Sequence, residues 1–230
     1  RVYASLDGKL EGRVPRHLWT LPWAERNHGE KLRGIRERFP NDIVSAPASY
    51  KTPTRESGDP YEEGIYRDEW GCTFRNIQAG VIGEGKFPLI ESLDDLSALR
   101  PPEELLTFDI DKINDFCART DSFVMQPTCA RPFERLQFLR GSQNLYIDLA
   151  ELSMSAEEHG ADQPNGLTTL LESIHDFYKR ELTRWAQTDI DALFFMDDWG
   201  SQKALLISPD LWRKIFKPLY REYIDIAHKA

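Results

Sequence analysis

Two adjacent carboxylates, Asp197 and Asp198, directly follow the apolar run at 192–196 and precede Trp199 and Gly200. In parallel sheets, ligands bind at the carboxyl ends of the strands. Because adjacent side chains on an extended chain point opposite ways, one aspartate can face a ligand while its neighbour caps or pairs. A carboxylate there can accept a proton or bind a cationic nitrogen or an amide. We predict a catalytic role for Asp198, or failing it Asp197; the alternative is that both only begin a loop.

Glu69 is a second candidate acid. It lies beside Trp70, and an apolar neighbour can raise the pKa of a carboxyl group. A solvated turn is the alternative interpretation. Arg131, just past the apolar run at 122–127, could bind a carboxylate or phosphate, or could be a surface arginine that begins a helix.

The remaining candidates for ligand contact follow or belong to predicted strands. His17 could face the ligand, or it could be a structural histidine with a satisfied hydrogen bond. Cys129 could be a nucleophile, but the sequence shows no histidine partner for it. The predicted substrate-binding set is His17, Trp19, Trp70, Gln126, Arg131, Trp199 and Gln202.

The three cysteines, Cys72, Cys117 and Cys129, lie far apart and lack metal-ligand spacing with any histidine. We therefore predict no zinc site within residues 1–230. An odd and sparse set of cysteines is also typical of a reducing compartment, so the expected location is the cytoplasm.

The overall composition favours a folded protein that acts on small molecules. Of 230 residues, 40% are hydrophobic and 11% aromatic, which suffices for a sizeable core. The net charge of −9 does not favour nucleic acid or an anionic membrane as a partner. The sequence has no apolar run of about 18 residues, so we expect no transmembrane helix.

The pattern of elements predicts a mainly parallel sheet. The second half alternates strands and helices, which implies right-handed crossovers between parallel strands. A polar loop is predicted at 155–166, before a long amphipathic helix at 167–187. The four predicted core strands are 14–20, 42–46, 122–127 and 192–196.

Residues 60–90 differ from the rest of the chain. Glycines and prolines break this stretch repeatedly, and short β-prone pieces lie between them. The stretch is therefore predicted to be a β-hairpin or meander inserted in the larger fold.

Several motifs together resemble the uroporphyrinogen decarboxylase superfamily. The most specific are Phe-Met-Asp-Asp-Trp-Gly-Ser-Gln at 195–202 and Leu-Ile-Ser-Pro-Asp-Leu-Trp-Arg-Lys-Ile-Phe-Lys-Pro at 206–218. Asp-Glu-Trp-Gly-Cys-Thr-Phe at 68–74, Gly-Glu-Gly-Lys-Phe-Pro-Leu at 83–89 and Leu-Arg-Pro-Pro at 99–102 are similar to a less studied branch. The resemblance implies a (β/α)8 TIM barrel. Residues 1–230 would then be one incomplete barrel domain, holding about the first half to two-thirds of the barrel.

The resemblance implies an enzyme with one of two activities. The first is methyl transfer involving a corrinoid partner protein and a small methylated substrate or thiol, with zinc as a further cofactor. The second is decarboxylation of a porphyrinogen or another carboxylated ring. A non-catalytic protein that binds a tetrapyrrole or small ligand is the third possibility.

Two departures from the family pattern bear on this choice. Decarboxylases of the family hold propionates with an Arg-Gln-Ala-Gly-Arg-Tyr stretch, where this chain has Pro-Arg-His-Leu-Trp-Thr-Leu-Pro-Trp at 15–23. The zinc-binding His-x-Cys of the methyl-transfer branch does not occur in residues 1–230.

Overall fold

Two small sheets and seven α-helices make up the part of the chain that the structure, a computed structural model, describes: residues 1–159 and 165–230. The loop predicted at 155–166 lies partly outside these residues. The helices are α1 (Val2–Leu6), α2 (Pro22–Arg38), α3 (Ile110–Cys117), α4 (Pro132–Arg140), α5 (Ser142–His159), α6 (Gly166–Trp185) and α7 (Pro209–Lys229). The strands are β1 (Ile43–Val44), β2 (Gly64–Arg67), β3 (Thr73–Asn76), β4 (Glu84–Phe87), β5 (Phe123–Pro127) and β6 (Ala192–Phe194).

The TIM-barrel prediction is wrong. A TIM barrel closes eight parallel strands into one sheet. The described residues instead hold an open parallel sheet in the order β1-β5-β6 and a separate antiparallel sheet in the order β2-β3-β4. No barrel closes among these residues, which form a mixed α/β fold.

The predicted first strand at 14–20 is not a strand, because side chains bind the backbone groups that a sheet would need. The Arg16 N–H donates to the carboxylate of Asp42, and the Leu18 N–H donates to the side-chain oxygen of Asn41. Pro15 has no N–H to donate. With its amides engaged locally, this segment runs past the end of β1 without joining the sheet.

Residues 64–87 form a three-stranded antiparallel meander, in the region where the glycine and proline pattern predicts one. The turn between β2 and β3 carries Trp70, which is fully buried against Phe177 and Tyr178 of α6. The meander is therefore joined to the helical part of the molecule through its own turn.

The main core lies between α4, α5, α6, α7 and the meander. Helix α6 supplies much of it, since its apolar positions recur every three or four residues and point inward. A smaller cluster joins the sheet to α3 and α6, where Trp185 stacks on Phe108 at 4.0 Å. None of the described helices combines the length and the apolar character needed to cross a bilayer.

Candidate functional site

Glu181 is a carboxylate on the buried face of α6, opposite the loop that follows β5. Its side-chain Oε1 accepts a hydrogen bond from the backbone N–H of Cys129, at 2.9 Å. Only 3% of the residue is exposed. Burial raises the pKa of this carboxyl group to about 7, because the ionised form loses its hydration.

Buried polar atoms without partners concentrate around α6. Buried polar groups are nearly always hydrogen-bonded, so such a concentration marks a place suited to polar atoms of a ligand or solvent. Three of these atoms belong to α6 itself, and the others belong to segments on the core side of the helix. Among the described residues they are Trp70 Nε1, Gln126 Oε1, Arg135 Nε, Tyr178 Oη, Glu181 Oε2 and Trp185 Nε1.

Arg135 of α4 connects the helical core to the turn of the meander. Its guanidinium forms buried ion pairs with Asp68 and, at 3.0 Å, with Glu69, and it lies over the ring of Trp70 at 5.1 Å. Asp68 also accepts hydrogen bonds from the backbone N–H groups of Trp70 and Cys72. Asp68 is thus engaged by several donors, whereas Glu69 has one side-chain partner among the described residues, Arg135.

Glu69, Arg131, Arg135 and Glu181 form one electrostatic unit, called here the acid–arginine cluster. Burial raises the pKa of Glu69, and the charges of Arg135 and then Arg131 oppose that rise. The charges of Glu69 and Arg131 also act on Glu181. Arg131 pairs with Glu134 at 3.0 Å. The cluster therefore holds two acids that retain protons more readily than usual, beside two fixed cations.

A cavity of about 520 Å³ opens beside the cluster, and Glu69 is the cluster member on its wall. This volume suits a small-molecule ligand. The other lining residues come from the segments before and after the meander and from the 3-10 helix Glu103–Leu106: Lys51, Thr54, Arg55, Ser97, Ala98, Arg100, Pro101, Pro102, Glu103, Glu104 and Thr107.

Burial governs the other ionisable groups around the cluster. It raises the pKa of the Cys129 thiol well above its usual value, and the charges of Glu181 and then Glu69 add to that rise. Cys129 is therefore a neutral thiol at neutral pH, not an activated nucleophile. Burial likewise raises the pKa of Tyr178, which keeps its hydroxyl protonated and available as a donor.

The two aspartates after β6 have different surroundings. Asp197 accepts hydrogen bonds from the backbone N–H groups of Phe133 and Glu134, both at 2.8 Å, and from the Tyr220 hydroxyl at 2.7 Å. It thereby holds the first turn of α4. Asp198 is exposed and lies on the wall of a second cavity, of about 440 Å³, together with Glu134. A catalytic role for either aspartate stays a prediction.

The other predicted ligand contacts do not gather at one place. His17 and Trp19 are exposed, and Trp19 contacts Phe194 at the end of β6, with ring centres 4.9 Å apart. Trp199 stacks on Phe133 at 4.5 Å, at the edge of the core. The remaining predicted contacts are Trp70 and Gln126, which are buried, Arg131 in the acid–arginine cluster, and Gln202 in an exposed loop.

Glu181, Tyr178 and Arg135 were not selected from the sequence. For Glu181 a signal exists: it falls on the apolar stripe of α6, three residues after Tyr178 and four before Trp185. A carboxylate at such a position must be buried, so its environment must raise the pKa or supply a partner. Arg135 carries no comparable signal, because the meander that pairs with it is distant in sequence.

Within the described residues, no three His, Cys, Asp or Glu side chains are grouped so as to hold a metal ion. No protein-family model, curated protein or solved structure matches this chain.

Proposed function

We propose that the chain is an acid–base enzyme that acts on a small carboxylated molecule bound beside Glu69, with Glu181 as the proton donor. The observation that carries the proposal is the Glu181 carboxyl group, buried in the core with a pKa of about 7 and one oxygen without a partner. A general acid is most effective when its pKa lies near the working pH, because both protonation states are then populated.

The neighbouring charges suit proton transfer. Arg131 and Arg135 provide two fixed cations near the acids, which favour the ionised form of an acid once it has given up its proton. Glu69 lies on the cavity wall and has a raised pKa, so it can relay protons between the cavity and the cluster. The arrangement supports proton transfer to a substrate atom at the cavity wall.

Decarboxylation is the reaction that uses all of these features. The bond between carbon and the carboxylate breaks, carbon dioxide leaves, and the electron pair stays on a conjugated or ring carbon. Glu69, on the cavity wall, then gives a proton to that carbon, Glu181 replaces the proton on Glu69, and solvent restores the proton of Glu181 through the cavity and Glu69. This reaction is one of those implied by the uroporphyrinogen decarboxylase resemblance.

Methyl transfer to a corrinoid partner uses the same acid in another way. Glu181, by way of Glu69, would supply a proton to the oxygen or nitrogen that releases the methyl group, and a corrinoid held by a partner protein would accept that group. The two reactions differ in their products, carbon dioxide in one case and a methylated corrinoid in the other. A direct assay of both products therefore distinguishes them.

The test is an assay of the protein with a porphyrinogen and with a set of aromatic carboxylic acids, with released carbon dioxide as the readout. A parallel assay supplies reduced corrinoid with methoxylated or methylated amine compounds and follows the corrinoid absorbance. For an active substrate, Glu181→Gln should lower turnover by about 10²-fold or more. Glu172→Gln is the matched control, because Glu172 is exposed on the same helix. Unchanged turnover in Glu181→Gln would contradict the proposal.

A further inference from the structure

Arg55 is an arginine that the fold holds in place without a carboxylate partner. Its Nη1 donates to the backbone carbonyls of Trp70 and Ala98, both at 2.9 Å. These two acceptors are neutral, so the positive charge of Arg55 is not neutralised by them. The half-buried guanidinium lines the cavity beside the acid–arginine cluster.

The position of Arg55 depends on Gly71 of the turn between β2 and β3. Gly71 has φ of +92°, and a Cβ built on it would lie 2.8 Å from Cζ of Arg55. A side chain at position 71 would therefore displace the guanidinium as well as strain the backbone. The glycine in the turn of the meander thus leaves room for the Arg55 guanidinium at the edge of the cavity.

The carboxylates on the cavity wall are already engaged. Glu103 forms a two-pronged ion pair with Arg180, and Glu104 accepts a hydrogen bond from the backbone N–H of Thr54 at 3.1 Å. Glu69, the third carboxylate, pairs with Arg135 at 3.0 Å. Glu103 and Glu69 are thus paired with other arginines, whereas Glu104 keeps its negative charge, because the Thr54 N–H is neutral.

Three cations on the same cavity wall, Lys51, Arg55 and Arg100, have no carboxylate partner. Among the side chains that the structure describes, no ion pair involves Lys51, Arg55 or Arg100. These three cations outnumber Glu104, the wall carboxylate without an ion pair, and a concave site with an excess of one sign of charge attracts ions of the opposite sign. Arg55 also offers a defined pair of donors, because its Nε and Nη2 hydrogens have no hydrogen-bond partner among the described residues.

We propose that this cavity binds an anionic group of the substrate, a carboxylate or a phosphate, through the free edge of Arg55, with Lys51 and Arg100 adding charge. Two parallel N–H donors on one arginine fit two oxygens of either group. The inference rests on the proposed function in one respect, the identification of the ligand as substrate. It implies that the substrate carries an anionic anchor separate from its reacting group.

The experiment measures binding of succinate and of inorganic phosphate to the whole protein by calorimetry at low ionic strength. Saturable binding of at least one of them is expected, and the tighter of the two identifies the source of the anion. Arg55→Gln should weaken binding about tenfold or more, because charged hydrogen bonds are lost. The double variant Lys51→Met with Arg100→Gln leaves the Arg55 contacts intact and should also weaken binding. Arg213→Gln, an exposed arginine of α7, is the matched control and should not change it.

The outcomes separate this site from the proposed reaction. Circular dichroism of each variant shows whether the fold is retained, and the double variant gives an answer even if Arg55→Gln unfolds. Glu181→Gln should bind the anion with unchanged affinity. If it does so while turnover on an active substrate is also unchanged, the reaction proposal fails and the anion site stands. The anion site is overturned if neither probe binds saturably, or if Arg55→Gln and the double variant both bind as the wild type does.

Discussion

The carboxylate of Glu181 accepts a hydrogen bond from the backbone N–H of Cys129 at 2.9 Å, and this contact links helix α6 to the loop after β5. The other oxygen of the same carboxylate is buried without a partner among the described residues. One oxygen of Glu181 is thus fixed by the backbone of the loop after β5.

Glu181 should make the protein less stable as the pH rises. Its pKa is raised from 4.5 to about 7 by burial, so the folded state holds the proton more tightly than the unfolded state. The free energy of unfolding should therefore fall between about pH 4.5 and pH 7, with no further loss above that range. The total loss is on the order of 3 kcal/mol, since one pKa unit corresponds to about 1.4 kcal/mol.

Denaturant unfolding of the wild type and of Glu181→Gln at several pH values checks this. Glu69 and Asp197 also have pKa values raised by burial, so the wild type keeps part of its slope from those groups. The difference between the two proteins isolates Glu181. Parallel stability curves for the two proteins across this range would contradict the assigned pKa.

Removal of the Arg135 charge should strongly destabilise the protein. Arg135→Met keeps a flexible apolar stem over Trp70 but leaves the carboxylates of Asp68 and Glu69 without their cation. Breaking a buried ion pair from one side typically costs about 3–5 kcal/mol. Arg119→Met is the comparison, because it removes the exposed ion pair with Asp115. It should lower the free energy of unfolding by about 1 kcal/mol or less. Similar melting temperatures for the two variants would count against the buried pairing.

Asp197 and Asp198 should respond differently to the same substitution. The carboxylate of Asp197 accepts three hydrogen bonds, and Asp197→Asn retains only one acceptor oxygen. We therefore expect the free energy of unfolding to fall by roughly 1–3 kcal/mol. Asp198→Asn, at an exposed position, should change stability by about 0.5 kcal/mol or less. If Asp198 is catalytic, its variant should lower turnover by about 10²-fold or more. Unchanged turnover in both variants would end the catalytic assignment of this pair.

Gly71→Ala should lower both stability and anion affinity. The substitution strains a backbone at φ +92° and moves the Arg55 guanidinium, so a loss of about 1 kcal/mol or more is expected. Gly34→Ala is the matched control, because no atom lies within 4 Å of its Cβ position and it lies inside α2. Alanine there should stabilise the helix by about 0.5–1 kcal/mol. Calorimetry with succinate and thermal melts measure both effects.

Local patterns in the sequence determined helices α6 and α7. The start of α7 follows from two residues that the sequence shows, since Ser208 caps its first turn and Pro209 suits the first helical position. The long helix predicted at 167–187 matches α6 within two residues, since its apolar stripe is uninterrupted. The breakers between 60 and 90 likewise indicated the antiparallel meander. All these signals act between residues that are close in sequence.

Tertiary structure determined which strands pair, and the pairing contradicts the predicted barrel. Closure depends on hydrogen bonds between distant segments, and the segment at 14–20 uses its amides on Asp42 and Asn41 instead. The candidate site likewise depends on contacts between segments that are distant in sequence. Glu69 and Arg131 were visible as isolated candidates, but the raised pKa of Glu181 exists only because the core surrounds it. Burial and long-range pairing are properties of the packed chain, so local sequence could identify such groups but not bring them together.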